Sequence, residues 1–286
     1  MATRKSRPKV RKIKNNLYHK MNSKMLKKIL FLMSIILALV YSFFADTNKI
    51  FTHDPDLCFN HTCPTKSSSD NIIIEHDIFV LSMNPKTKFA DWVAYKVEPK
   101  NLNGLNKQRV WREDPKLKPE YSFSPKDYEG GNKACGYDRG HQAPLANFSN
   151  NQHADQTNYL SNITPQMSKL NRGAWKRLED KERLLAKKTK GEVYVFTGIY
   201  YTGKPMCQLP KARLQHTVPN GYWKIIILKN GKNVSHANFK FQQEATDNDY
   251  CNHSTTIEEI NRLTNLKFPI SNLSSSNTLL EKLGCN

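Results

Sequence analysis

Tyr137-Asp138-Arg139-Gly140-His141-Gln142-Ala143-Pro144-Leu145-Ala146 is the stretch on which the reading of this chain turns. Asp-Arg-Gly directly before a histidine gathers a titratable imidazole, a fixed cation and a permissive backbone hinge. Hydrolysis of a phosphodiester needs such parts: a base that takes a proton from water, and positive charge where negative charge builds up around phosphorus. With an ordinary pKa of about 6.5 the imidazole is largely neutral at mildly alkaline pH and able to accept that proton. Taken alone, a histidine beside a glycine is more often a turn residue.

Downstream, Leu160-Ser161-Asn162-Ile163-Thr164-Pro165-Gln166 leads into Asn171-Arg172-Gly173-Ala174-Trp175-Lys176-Arg177-Leu178-Glu179. The pattern predicts a helix from about Lys169 to Lys188, with Gly191 placed to end it. At about 100° per residue, Ala174, Trp175, Leu178 and Leu185 fall on one apolar stripe, and Asn171 lies in line with it. Glu179 and Arg183 border the stripe at a spacing that lets them pair. An amphipathic helix with a surface salt bridge accounts for all of this. An inward asparagine near a helix start can also offer its carbonyl oxygen to a hard cation that keeps several of its waters, as Mg²⁺ does.

Around this centre the chain has 286 residues, with 44 Lys plus Arg against 25 Asp plus Glu and a net charge of +19. At 38% hydrophobic it is neither a disordered tail nor a multi-span membrane protein. The charge is uneven: residues 1–28 hold eleven Lys or Arg and no acid, which leaves about +8 for the rest. After this basic segment comes Ile29 to Ala45, an uninterrupted run of 17 residues broken only by Ser34 and Ser42. It is expected to be a signal peptide or a transmembrane anchor, its length falling between the usual ranges for the two. Lys20, Lys24, Lys27 and Lys28 hold the N-terminus inside, so the domain that follows is exported under either reading.

Export suits the six cysteines, at 58, 63, 135, 207, 251 and 285. Cys58 and Cys63 enclose a short loop that a local disulfide could close, and no paired C-x-x-C knuckles argue for zinc. Residues 46–70 are polar and proline-containing and are expected to form a linker with this stapled loop, followed by one domain over 71–286. Strands are expected in Asn71 to Met83, Asp91 to Val97 and Glu192 to Tyr201. Tyr222 to Leu228 and Ser235 to Gln242 should form a hairpin around Asn230-Gly231. Residues 112–133 are expected to be a long surface loop, and Thr255 to Leu263 a late helix. Strands and helices mix without a regular βαβ alternation, so the expected class is α+β.

Asn158-Tyr159-Leu160-Ser161-Asn162-Ile163-Thr164-Pro165-Gln166 and Leu170-Asn171 through Ala174-Trp175 to Leu178-Glu179-Asp180 follow the histidine motif in order. Together the three blocks resemble the DNA/RNA non-specific endonucleases, most closely their secreted Serratia-type branch and more distantly the mitochondrial endonuclease G branch. The likeness runs from about Asp56 to Asn286. It includes Lys88 to Tyr95, Arg109-Val110-Trp111 with Asp114-Pro115, His216 to Pro219 and Tyr222-Trp223-Lys224.

The resemblance implies a ββα-metal nuclease fold with antiparallel sheet and flanking helices. It implies His141 as general base, Asn171 as the direct ligand of Mg²⁺, with Mn²⁺ an admissible substitute, and Glu179 as the carboxylate that holds a metal-bound water. Arg109 matches the arginine that stabilises the transition-state phosphate, Arg139 and Arg183 match further arginines of the site, and Asn162 matches an asparagine that helps arrange it. Asp138 is expected to anchor the loop. The implied partners are DNA and RNA without regard to sequence, with the membrane added through residues 29–45 if these are not cleaved; a homodimer is compatible. The implied pairings are Cys58 with Cys63 and Cys251 with Cys285, leaving Cys135 and Cys207 as a third bridge or as free thiols. The enzyme would be secreted, or anchored facing the periplasm or exterior. A catalytically inactive nucleic-acid-binding or uptake protein on the same fold is the alternative, against which an intact Arg109, His141, Asn171 and Glu179 argue.

Overall fold

β-branched and aromatic side chains crowd the segments that pair into the main sheet. In chain order the strands are β1 (Ile72–Glu75), β2 (Val80–Met83), β3 (Ala90–Val97), β4 (Tyr137–His141), β5 (Ile163–Met167), β6 (Glu192–Tyr200), β7 (Gly221–Asn230) and β8 (Asn233–Gln242). Six of them form one sheet in the order β1-β2-β3-β6-β7-β8, and β4 with β5 forms a separate ladder. All neighbours run antiparallel. The computed structural model describes residues 25–37, 56–66, 68–105, 108–270 and 277–285.

Two units divide the chain, Met1–Thr52 and His53–Asn286. In the first, residues 25–37 form helix α1, exposed along its length. Among the described residues no helix is long and apolar enough to cross a membrane. Most of the basic segment, and residues 38–45 of the apolar run, lie outside the described residues.

In the second unit the helices are α2 (Gly131–Cys135), α3 (Ser168–Arg172), α4 (Ala174–Lys188), α5 (Ile257–Thr264) and α6 (Asn277–Leu283). β7 shows how the layers form. Side chains alternate across a strand, so Tyr222, Ile226 and Leu228 join a core with Trp175, Leu178 and Leu185 of α4. Trp223, Ile225 and Ile227 join a second core on the opposite face, with Ile257 and Ile260 of α5 and with Phe59. Both faces of the sheet are thus covered, which is why its central strands are apolar almost throughout.

The structure redraws several expected boundaries. Asn71 to Met83 is two strands, Ile72 facing Met83 and Glu75 facing Val80 across a turn. The expected helix over 169–188 is two helices broken at Gly173. A Cβ there would lie 2.4 Å from the Lys169 carbonyl oxygen and 2.5 Å from Asn248 Oδ1, so the close approach needs glycine. The second helix stops at Lys188, ahead of Gly191. Residues 112–133 are not all surface, since Phe123 and Tyr128 are buried in the main core. Cys58 and Phe59 are buried as well, and Thr65 bridges to Lys267, so the stapled loop packs on the domain. The hairpin forms around Gly231 (φ 60°), with Asn230 facing Asn233.

All six cysteines are bridged, Cys58 to Cys63, Cys135 to Cys207 and Cys251 to Cys285, at Cα separations of 5.1, 5.8 and 5.4 Å.

Candidate active site

β4 has almost no apolar residues of its own and is a strand because β5 pairs with it, Asp138 opposite Gln166, Arg139 opposite Pro165 and His141 opposite Ile163. Gly140 is required for closeness: a Cβ would meet the Gln166 side chain at 2.6 Å. β5 runs directly into α3 and α4, so the chain order ladder, then helix, brings the histidine strand against the helix residues.

His141 sets its Nε2 3.2 Å from Asn158 Oδ1 and its ring 5.2 Å from the Trp111 ring. With Nε2–H donating to that oxygen, Nδ1 keeps its lone pair. Burial holds the imidazole down at about 4; the Asn158 bond opposes this shift and the nearby positive charge of Arg109 adds to it. The ring is therefore a neutral base over the physiological range.

Asp138 lines the cleft and is the centre of a knot of hydrogen bonds. It accepts from Arg172 Nε and Nη2, both at 2.7 Å, from Ser168 Oγ at 2.8 Å, from Asn132 Nδ2 at 3.2 Å and from Asn171 Nδ2 at 2.9 Å. These bonds outweigh its partial burial and hold its carboxyl below the usual range. They also commit the Asn171 amide nitrogen, so Oδ1 is the atom Asn171 can offer to a ligand. One turn into α4, burial pushes the Glu179 carboxyl up to about 7; Lys224, at 4.0 Å, draws it down and Glu182 pushes it further up. Arg183 does not pair with Glu179 as the spacing suggested: it donates to Asn147 Oδ1 at 2.8 Å and to Asp180.

Arg139 donates to the Pro125 carbonyl at 3.0 Å and lies between the rings of Trp111 and Tyr128, 5.6 Å from each. Stacking of this kind suits the flat guanidinium and fixes its direction. Arg109 is exposed at the rim. Arg109, Arg139, His141, Asn171, Glu179 and Arg183 thus line one cleft of about 920 Å³. Asn162 is not among its lining residues. Fully buried behind it, Asn162 accepts from the Ala143 amide at 2.8 Å and donates to the Ala143 and Thr157 carbonyls at 2.9 Å each. Its amide therefore fixes the loop that leaves His141.

Sequence reasoning gave no role to Asn158, Trp111, Tyr128, Arg172, Glu182 or Lys224. Asn158, Trp111, Arg172 and Lys224 stood inside quoted motif blocks. Glu182 carried a plainer signal, because it sits on the apolar stripe of α4, where a carboxylate is out of place.

Among the described residues no group of three His, Cys, Asp or Glu could hold a metal ion. With the Asp138 carboxylate committed to its hydrogen bonds, the cleft offers the amide oxygen of Asn171 and the largely buried Glu179 carboxylate, whose pKa burial raises. Such a donor set fits a hard, mostly hydrated cation.

A two-stranded ladder and a helix framing a cleft of histidine, asparagine, glutamate and arginines define a nuclease of the ββα-metal class. The family model for DNA/RNA non-specific endonucleases matches residues 58–275, and the chain belongs to that family. It is accordingly an enzyme, a metal-dependent phosphodiester hydrolase acting on DNA and RNA. It is 44% identical over 207 residues to a protein named Nuclease from Serratia marcescens, covering 71% of this chain and 77% of that one. It is 35% identical over 161 residues to human mitochondrial Endonuclease G, covering 53% and 52% of the two chains. The fold matches the crystal structure of an EndoG/EndoGI complex with a TM-score of 0.59 at 24% identity, over 71% of this chain and 86% of that one.

Proposed function

We propose that the cleft cuts phosphodiester bonds by in-line attack of water, leaving 5′-phosphate and 3′-hydroxyl ends, with His141 as general base. The carrying observation is that His141, Asn171 and Glu179 share one cleft with Arg109, Arg139 and Arg183. His141 takes the proton at Nδ1, the atom left free by the bond of Nε2–H to Asn158. Asn171, held by Asp138, would ligate Mg²⁺, with Mn²⁺ a substitute, and Glu179 would hold one of the waters of that cation. That cation would supply positive charge to the phosphate and the leaving 3′ oxygen. Arg109, Arg139 and Arg183 add fixed charge where the transition state becomes more negative.

These contacts are to phosphate, which carries no sequence information, and this supports DNA and RNA alike as substrates. The full set of disulfides supports an exported domain, since such bridges persist in oxidising compartments. Plasmid nicking with and without a chelator tests the reading. Nicking that stops in chelator and returns with excess Mg²⁺ is expected; full activity in chelator overturns it.

A further inference from the structure

Lys224 carries its ammonium to a place where such groups are rarely found without a partner. Its side chain and that of Glu182 are fully buried, and Nζ meets Glu182 Oε1 at 2.6 Å. Glu182 occupies a core position of α4 between Leu178 and Leu185. Lys224 falls in the β7 row of Tyr222, Ile226 and Leu228, the row that faces α4. The ammonium stands 4.3 Å from the centre of the Trp175 ring. The second oxygen of Glu182 accepts from Tyr95 OH at 3.0 Å and from Asn147 Nδ2 at 3.1 Å.

A buried ion pair is a weak source of stability, because apolar side chains of similar volume often do as well or better. What this pair touches is more telling. Lys224 Nζ lies 4.0 Å from Glu179 Oε1. Asn147, which donates to Glu182, accepts from Arg183 Nη1 at 2.8 Å. The pair therefore reaches Glu179 and Arg183, two of the charged cleft residues of α4, one through each partner.

We propose that Lys224 is a positioning residue of this endonuclease: paired with Glu182, its ammonium holds the Glu179 carboxylate, while Asn147 in the same network fixes the Arg183 guanidinium. The inference rests on Glu179 and Arg183 having the roles proposed above. It assigns Lys224 no contact with substrate.

The test compares Lys224→Met, Glu182→Leu and the double variant with Glu179→Gln in the full chain, reading Tm and separate kcat and KM on a defined duplex. Each single variant strands a buried charge and lowers Tm. The double variant removes both charges and regains Tm. Positioning predicts that its kcat stays at least about tenfold below that of the unaltered enzyme while KM changes by no more than about threefold. Adding Lys224→Met to Glu179→Gln should then cost less than it does alone, because it acts through Glu179. A double variant with full Tm and full kcat overturns the inference, leaving the pair as packing alone. Should the double variant not fold, isosteric Glu182→Gln replaces it, assayed below its own Tm: a loss of kcat with KM within about threefold supports positioning, and unchanged kcat overturns it. Glu179→Gln at full rate overturns the role of Glu179 and this inference together. An inactive Glu179→Gln beside a fully active double variant overturns this inference alone.

Discussion

His141 is held in its neutral form, and the sign of that effect sets two expectations. Its pKa is depressed to about 4 from an ordinary 6.5. Its contribution to stability is therefore fully present above pH 6.5 and is lost as pH falls through 4. As a base it should remain competent well below neutrality, and NMR of the imidazole should show no protonation between about pH 5 and 8. A ring titrating near 6.5 would contradict the half-buried, Asn158-bonded geometry. His141→Ala should lower kcat by about 10² to 10⁴ with substrate binding nearly intact; retention of half the activity would remove its assignment as the base. Loss of rate on acidification then belongs to Glu179, whose raised pKa of about 7 means that its carboxylate protonates first. Measured as log(kcat/KM) against pH, the acid limb should flatten in Glu179→Gln, and a limb that survives the substitution would point to another group.

Among the elements, the α3–Gly173–α4 break sets the relation between Asn171 and Glu179, one on each helix. Gly173→Ala places a methyl group against the Lys169 carbonyl and Asn248, and should cost about 1 to 3 kcal/mol with a fall in activity. Thermal denaturation checks this; an unchanged Tm would mean that the backbone yields without cost. The break was not legible in the sequence, because a glycine within a helical pattern reads as a tolerated defect and its reason is the remote Asn248. The stripe of α4 was legible, since Ala174, Trp175, Leu178 and Leu185 recur at helical spacing and are all buried. β7 and β8 were legible as strand-forming segments on either side of the Asn230-Gly231 turn. β4 was not, because Tyr137-Asp138-Arg139-Gly140-His141 lacks apolar alternation and becomes a strand only by pairing with β5. The site showed the same division. Residue types in the motif blocks identified the cleft, while the partners that orient them, Asn158 for His141 and Asp138 for Asn171, follow from three-dimensional contacts.

For the molecule as a whole, the proposed contacts of Arg109, Arg139 and Arg183 to phosphate predict that salt is the main control of affinity. Cutting of linear DNA, circular DNA and RNA should weaken together as ionic strength rises, whereas discrete fragments from a random duplex would indicate base reading. The bridges act at the same scale. Cys135 and Cys207 lie 72 positions apart, a closure that the chain-entropy model values at about 4 kcal/mol, against about 2 kcal/mol for the 5 positions between Cys58 and Cys63. The longer bridge also ties the end of α2, just ahead of β4, to the segment between β6 and β7, so it restrains the strand that carries Arg139 and His141. Replacing Cys135 and Cys207 by alanine should therefore lower Tm more than replacing Cys58 and Cys63, and should lower activity at temperatures where the other variant still works. Thiol counting on the unfolded, unreduced protein should find no free thiol in either variant, since each substitution removes a whole bridge. The reverse order of Tm, with correct thiol counts, would show that the Cys58–Cys63 loop contributes through its buried contacts with Phe59 and the second core, and that loop closure is the smaller effect.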